Sequence, residues 1–184
     1  KSNSKTFSAM DEFHFLAVGS LLPVKGFDRL IRSAKIVKEK GYRFRLSIMG
    51  KGPEKDKLIK LVNHNNLTTT VNFMDFKNNP YPIMKNADVI VMSSISEALP
   101  TVLCEAMILG KATLVTNCSG CREIVESGKY GIMSKADDED FASKMIAYLS
   151  DTKTINYFEN QSKERAKIFN DEIILNQYYE ILNQ

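Results

Sequence analysis

The sequence predicts an α/β protein in which a Rossmann-like parallel sheet of about six strands is covered by helices on both faces. Three observations predict it. Short apolar or alternating runs recur along the 184 residues, the first two end on Gly, and the stretches between runs place apolar residues three and four apart. Strands separated by helices do not pair as hairpins, so right-handed crossovers should lay them parallel in one sheet.

FHFLAVG (13–19) and RFRLSIMG (43–50) are the first two strands; VNFM (71–74), DVIVMS (88–93), ATLVT (112–116) and YGIMS (130–134) supply the other four. Phe27, Leu30, Ile31, Ala34 and Val37 recur at helical spacing after the first strand, as do Leu58, Leu61 and Val62 behind Pro53. Another helix should begin near Pro100, a favoured first helical residue, and end before Gly110, a favoured stop. From 141 onward strand signals cease. Apolar patterns at 145–149 and 173–181 read as helices, the last with Asn170 as its N-cap.

A net charge of +3 with 43% hydrophobic and 26% charged residues describes an ordinary soluble globular chain, one domain by default. Such a length buries roughly 70% of its unfolded surface, enough for a core without disulfides or metals. KSNSKTFSAMDE (1–12) reads as a solvated linker and 13–184 as the domain. The absent initiator Met suggests a cut-out or processed piece. The longest apolar run, near 87–92, is far short of the ~20 residues of a membrane span. Three cysteines are too few for a disulfide framework and point to a reducing, cytoplasmic setting. Lys51, Lys55, Lys57 and Lys60 are the best basic cluster, but without interleaved aromatics they read as one solvated helix face, not a nucleic-acid site. G-x-G-x-x-G and G-x-x-x-x-G-K-[ST] are both absent, which argues against a nicotinamide enzyme or a P-loop ATPase.

SISEALPTVLCEAMILGK (94–111) follows the fourth strand directly, and open parallel sheets bind ligands outside the carboxyl ends of their strands. No capping oxygen stands at Leu99 or Pro100, so the first-turn amides of Thr101 and Val102 should be free, a setting that suits a phosphate. Glu105 lies about 7 Å along the helix from Pro100, and helix side chains lean back toward the N-terminus. Glu97, in the preceding loop, overlooks that end from the other side. Two carboxylates would repel a phosphate unless they accept hydrogen bonds from sugar or ribose hydroxyls. The pattern therefore fits a nucleotide sugar.

Glu97, seven residues, Glu105, then AMILGKATLVTNCSGCREIVESGKYGI, resemble the donor-binding domain of retaining GT-B glycosyltransferases, family 4. The resemblance runs from VGSLLPVKGFDRLI through IMGKGPEKDKL, VNFMDF and ADVIVMSSISEALP to FNDEIILNQYYEIL. It implies one half of a GT-B fold, with Glu97 holding hydroxyls of the transferred hexose and Glu105 the nucleotide ribose. The backbone of Leu99, Pro100, Thr101 and Val102 would face the donor's sugar and diphosphate. Lys25, before Gly26, would bind the diphosphate and offset leaving-group charge, which with Glu97 makes the catalytic pair, and Phe76 would meet the base. The resemblance implies no metal and no cofactor, the nucleoside-diphosphate sugar being a substrate. It also implies that a separate N-terminal domain of the same polypeptide brings the acceptor, so that this chain alone is inactive. Any membrane association should be peripheral and pass through that domain.

One position departs. The family usually reads G-R-L after the first strand, its Arg touching the diphosphate, whereas this chain has Gly19, Ser20 and Leu21. Diphosphate contacts then rest on Lys25, helix amides and a group outside this chain. Two alternatives stay open: a nucleotide-sugar epimerase of the same fold, and a non-catalytic nucleotide-sugar-binding module, which Ser20 favours. Cys118 and Cys121 form C-x-x-C, half a zinc site or a redox pair, but the segment sits where the family has a glycine turn, matched by Gly120. His14 reads as structural and His64 as part of a polar helix end.

Overall fold

The computed structural model describes residues 12–169. It contains six strands: β1 (His14–Val18), β2 (Arg45–Met49), β3 (Val71–Met74), β4 (Val89–Met92), β5 (Ala112–Thr116) and β6 (Ile132–Ser134). All pairings among them are parallel, in the order β3-β2-β1-β4-β5-β6. The chain winds outward from β1 in one direction and restarts beside β1 at β4, which leaves a crevice beyond the carboxyl ends of these two strands.

Seven helices connect and cover the strands: α1 (Phe27–Glu39), α2 (Lys55–His64), α3 (Tyr81–Asn86), α4 (Thr101–Ile108), α5 (Ser119–Ile124), α6 (Asp138–Ser150) and α7 (Thr152–Ala166). Every residue of β4 and β5 is buried, as expected of central parallel strands covered on both sides. Strand alternation divides the core. Phe15, Ala17, Leu46, Ile48, Val89 and Val91 pack with Leu30, Ile31 and Phe141 of α1 and α6. On the other face Leu16, Met49 and Ile90 meet Met84 and Ala106, while Met92 and Val115 meet Leu103 and Cys121.

Three helices lack the periodicity that would announce them. In α3 only Met84 is buried, α5 is six residues long, and α7 buries only Ile155 and Ser162, so no apolar stripe runs along it. What starts α7 is the Asp151 carboxylate, which accepts from Lys153 N–H at 2.9 Å. It is held in part by Ser162 Oγ donating to the Lys111 carbonyl at 2.7 Å. The lysines grouped in the sequence do not share one helix face. Lys51 precedes α2, Lys55 and Lys57 are about 200° apart around it, and these two pair with Asp75 and Glu54.

Residues 1–11 of the expected linker, the Asn170 cap and the expected helix at 173–181 lie outside the described residues. Among the described residues no helix is long and apolar enough to cross a membrane.

Candidate active site

Two loops meet at the crevice. After β1 the chain passes exposed Ser20 and buried Leu21, then enters a 3-10 turn, Pro23–Lys25, that ends on Gly26. Gly26 has φ 61°, and a Cβ there would stand 2.2 Å from the Ser93 carbonyl oxygen, so only glycine lets the turn lie against the end of β4. The second loop follows β4. Ser93 and Ser94 are buried, Ile95 and Leu99 exposed.

Backbone and buried polar groups stitch the two loops together. Ser93 Oγ donates to the Lys25 carbonyl at 2.9 Å, Ile95 N–H to the Val24 carbonyl at 2.8 Å, and Arg29 Nη1 to the Ser93 carbonyl at 3.1 Å. Lys25 is thereby carried to Glu97, with Nζ 2.6 Å from Oε1, while Ser94 Oγ donates to the same oxygen at 2.6 Å. The Glu97 side chain is only 9% exposed, against 25% for Lys25. The two residues assigned to diphosphate and sugar thus neutralise each other. A bare cation on one side and a bare carboxylate on the other is not the arrangement.

Gly120 holds this loop from behind. It lies in the first turn of α5, not in a glycine turn, where its N–H donates to the Glu97 carbonyl at 3.1 Å and a Cβ would stand 2.5 Å from that oxygen.

The start of α4 differs in detail from expectation. Pro100 is the N-cap, not the first helical residue, and no side chain caps the helix. Thr101 N–H donates to the Leu99 carbonyl at 3.0 Å and is not free. Val102 N–H makes no hydrogen bond among the described residues, so the unsatisfied amide at this positive helix end is the one at Val102.

Beside the ion pair lies a cleft of about 330 Å³ lined by Gly19, Ser20, Lys51, Phe76, Val102 and Glu105, among others. Burial raises the Glu105 carboxyl above the usual carboxylate range. Phe76 is 54% exposed, with Lys51 Nζ 5.1 Å from its ring centroid. Lys51 also faces the Ser20 loop, since its carbonyl accepts Leu21 N–H at 2.9 Å. Lys25 and Glu97 do not line this cleft, nor do Leu99, Pro100 and Thr101. Gly19 joins the two parts, for a Cβ there would lie 3.8 Å from Lys25 Cδ. Gly19, Ser20, Phe76, Val102 and Glu105 are therefore brought together, with the Lys25–Glu97 pair next to them. Sequence reasoning missed Lys51, Ser94 and Thr116, whose hydroxyl at the end of β5 donates to the Ser94 carbonyl from behind the site. Only Ser94 had a local signal, a hydroxyl three residues before the carboxylate it serves.

Cys118 and Cys121 are both buried, and burial first and the neighbouring Cys118 second push the Cys121 thiol up, the reverse of an activated thiolate. Among the described residues no group of three His, Cys, Asp or Glu side chains could hold a metal. His14 lies at the amino end of β1, away from the crevice, with Nε2 2.9 Å from Ser47 Oγ.

A doubly wound sheet that gathers carboxylates, a lysine and an exposed aromatic ring at its switch point is a Rossmann-like domain of the ligand-binding class. The chain belongs to the glycosyl transferases group 1, whose family model matches residues 1–165. An uncharacterized glycosyltransferase of Methanocaldococcus jannaschii is 32% identical over 199 residues, covering 91% of this chain and 49% of that protein. The N-acetylgalactosamine-N,N'-diacetylbacillosaminyl-diphospho-undecaprenol 4-alpha-N-acetylgalactosaminyltransferase of Campylobacter jejuni is 31% identical, over 88% of this chain and 44% of its own length. The chain thus spans about half the length of the curated relatives it matches. Among solved structures, Anabaena HepE in complex with UDP superposes with a TM-score of 0.85 at 22% identity over 94% of this chain and 49% of that one. Staphylococcus aureus TarM superposes with 0.84 at 22% identity over 98% and 38%. At these identities the likeness is one of fold, that of the GT-B glycosyltransferases.

Proposed function

We propose that this chain is the donor-binding half of a retaining glycosyltransferase that moves a hexose from a nucleoside-diphosphate sugar, with UDP as the first choice of nucleotide, to a glycan or lipid acceptor in surface polysaccharide synthesis. The observation that carries the reading is the convergence, at one switch point, of Glu105 and Phe76 in a nucleoside-sized cleft with the Lys25–Glu97 pair beside it. The ring of Phe76 offers a face for a base, and Glu105 accepts from ribose hydroxyls. Diphosphate lies toward the Val102 amide and Lys25, and Glu97 accepts from hydroxyls of the hexose. Ser20 leaves the arginine position unfilled, and Lys51, across the same cleft, is the further cation.

In the reaction the bond from the sugar C1 to the phosphate oxygen breaks as the bond to the acceptor oxygen forms on the same face. The acceptor proton passes to the departing phosphate. No cofactor enters, the nucleotide sugar being the donor substrate. A second domain of the same polypeptide supplies the acceptor in the cytoplasm and makes any peripheral membrane contact. UDP-bound relatives of the same fold, such as HepE, support the choice of nucleotide. Two measurements test the reading: turnover of radiolabelled UDP sugars by the full-length protein, and titration of this chain with UDP, where a dissociation constant in the high micromolar range, about −5 to −6 kcal/mol, is expected. Sugar transfer by this chain alone would overturn the division of labour, and failure to bind any nucleotide would overturn the site.

A further inference from the structure

The Glu97 carboxylate is held by one of its two oxygens. Lys25 Nζ and Ser94 Oγ both donate to Oε1, and among the described residues no hydrogen bond reaches Oε2. The hydroxyl that does half of this holding is itself fixed. Ser94 is 2% exposed, and its carbonyl accepts from Thr116 Oγ1 at the end of β5. Gly120 N–H holds the Glu97 carbonyl from α5. Lysine contributes differently: its ammonium sits on a flexible four-carbon stem and makes a point contact that follows the carboxylate wherever it swings. A serine hydroxyl in the buried first residues of the loop after β4 cannot follow. Between the two partners on Oε1, Ser94 is the one that sets direction.

We propose that Ser94 is a positioning residue of the donor site, its hydroxyl fixing the Glu97 rotamer so that Oε1 stays with Lys25 and Oε2 is presented to the hydroxyls of the transferred sugar. This rests on the reading of Glu97 as the sugar-binding carboxylate. Ser94 itself touches no donor atom. Without its hydroxyl, Glu97 keeps a single mobile partner and spends its time in rotamers that face both oxygens toward Lys25. The sugar then loses an oriented acceptor, whereas the nucleotide, held by Glu105, Phe76 and Val102, loses nothing.

The readout is the affinity advantage of a sugar nucleotide over UDP, measured by calorimetry on this chain with UDP, UDP-glucose and UDP-N-acetylgalactosamine. Ser94→Ala should lower the advantage of the better sugar nucleotide about tenfold and leave UDP within about twofold of the wild type. In a Glu97→Ala background the advantage is already gone, and adding Ser94→Ala should change nothing further, since the serine acts only through the carboxylate. Thr116→Val, which releases the Ser94 carbonyl, should reproduce the selective loss and serves as the second variant should Ser94→Ala melt early. Equal losses for UDP and the sugar nucleotides, or an additive loss in the Glu97→Ala background, would show Ser94 to be packing only and overturn the proposal while leaving the donor site intact. A wild-type chain that binds UDP but gains nothing from any attached sugar would instead overturn the role of Glu97 and the proposal with it.

Discussion

Replacing Glu97 by glutamine should make this chain bind UDP more tightly. Lys25 Nζ lies 2.6 Å from Glu97 Oε1, so an incoming diphosphate must share the ammonium with a carboxylate and approach that carboxylate's charge. Glutamine keeps the size and one acceptor oxygen but removes the negative charge. At a separation of about 6 Å and an effective dielectric between that of the protein rim and water, the repulsion removed is about 1 to 2 kcal/mol. Lys25 is one-quarter exposed, so screening takes the lower value, about 1 kcal/mol or roughly fivefold in dissociation constant. Sugar nucleotides should not share the gain, because the amide is a poorer acceptor for sugar hydroxyls than the carboxylate. The two ligands therefore move apart: UDP tightens while the extra affinity from the sugar falls. Calorimetry at low salt reads both, and the UDP gain should shrink as ionic strength rises. An unchanged or weaker UDP affinity in Glu97→Gln would mean that Lys25 does not meet the diphosphate, and the assignment of the pair would fall.

Glu105→Ala should weaken UDP and UDP sugars alike, by roughly 1.5 to 3 kcal/mol for a charge-assisted bond to ribose; a loss confined to sugar nucleotides would exchange the roles of the two glutamates. Ser20→Arg should tighten UDP by about tenfold and steepen its salt dependence, and Lys51→Met should enlarge that gain, because the two side chains share one cleft; no response in either variant would place the diphosphate elsewhere. Stability should depend on pH through His14, whose imidazole is lowered from 6.5 to about 4 by burial first and by Arg45 second. A depressed pKa means that the unfolded chain takes up the proton first. The stability it contributes is therefore whole above about pH 6.5 and lost as pH falls toward 4, a difference of about 2 kcal/mol that His14→Gln should remove from urea melts at pH 7 and 4.5. Parallel pH profiles for the two proteins would refute it.

The sheet was legible because its strands are short apolar runs, and two of them, VNFM and ATLVT, end where the sequence says they end. Helix α1 declared itself through Leu30, Ile31, Ala34 and Val37, all fully buried. Helix α7 did not, since a helix that rests on one isoleucine and one serine presents no period to find. At the site, the placing of Glu97 and Glu105 followed from a strand end and helix spacing, whereas Ser20 and Phe76 were singled out only by the family resemblance. The pairing of Lys25 with Glu97 did not. They are 72 residues apart, and what joins them is a backbone contact that needs Gly26 against Ser93, a tertiary fact with no local spelling. The Thr101 amide was misjudged for a related reason: a proline cap lets the Leu99 carbonyl turn back onto it, which composition does not reveal.

The stitching of the Lys25 turn to the Glu97 loop has a consequence for how this site can change. Two hydrogen bonds tie the loops, through Ser93 and Ile95, and Arg29 of α1 braces the Ser93 carbonyl, while Leu22, Val24 and Leu99 stand outside with exposed side chains. The ordering entropy of the two loops, about 1 to 2 kcal/mol per residue, is met when the chain folds and not when a donor arrives. On the proposed donor-binding reading, side chains on the outer rim are then free to be exchanged for ones that suit another sugar without loosening the cation and the carboxylate beneath. One scaffold of this construction can be retuned one rim residue at a time, its charged centre staying in place while its clientele changes.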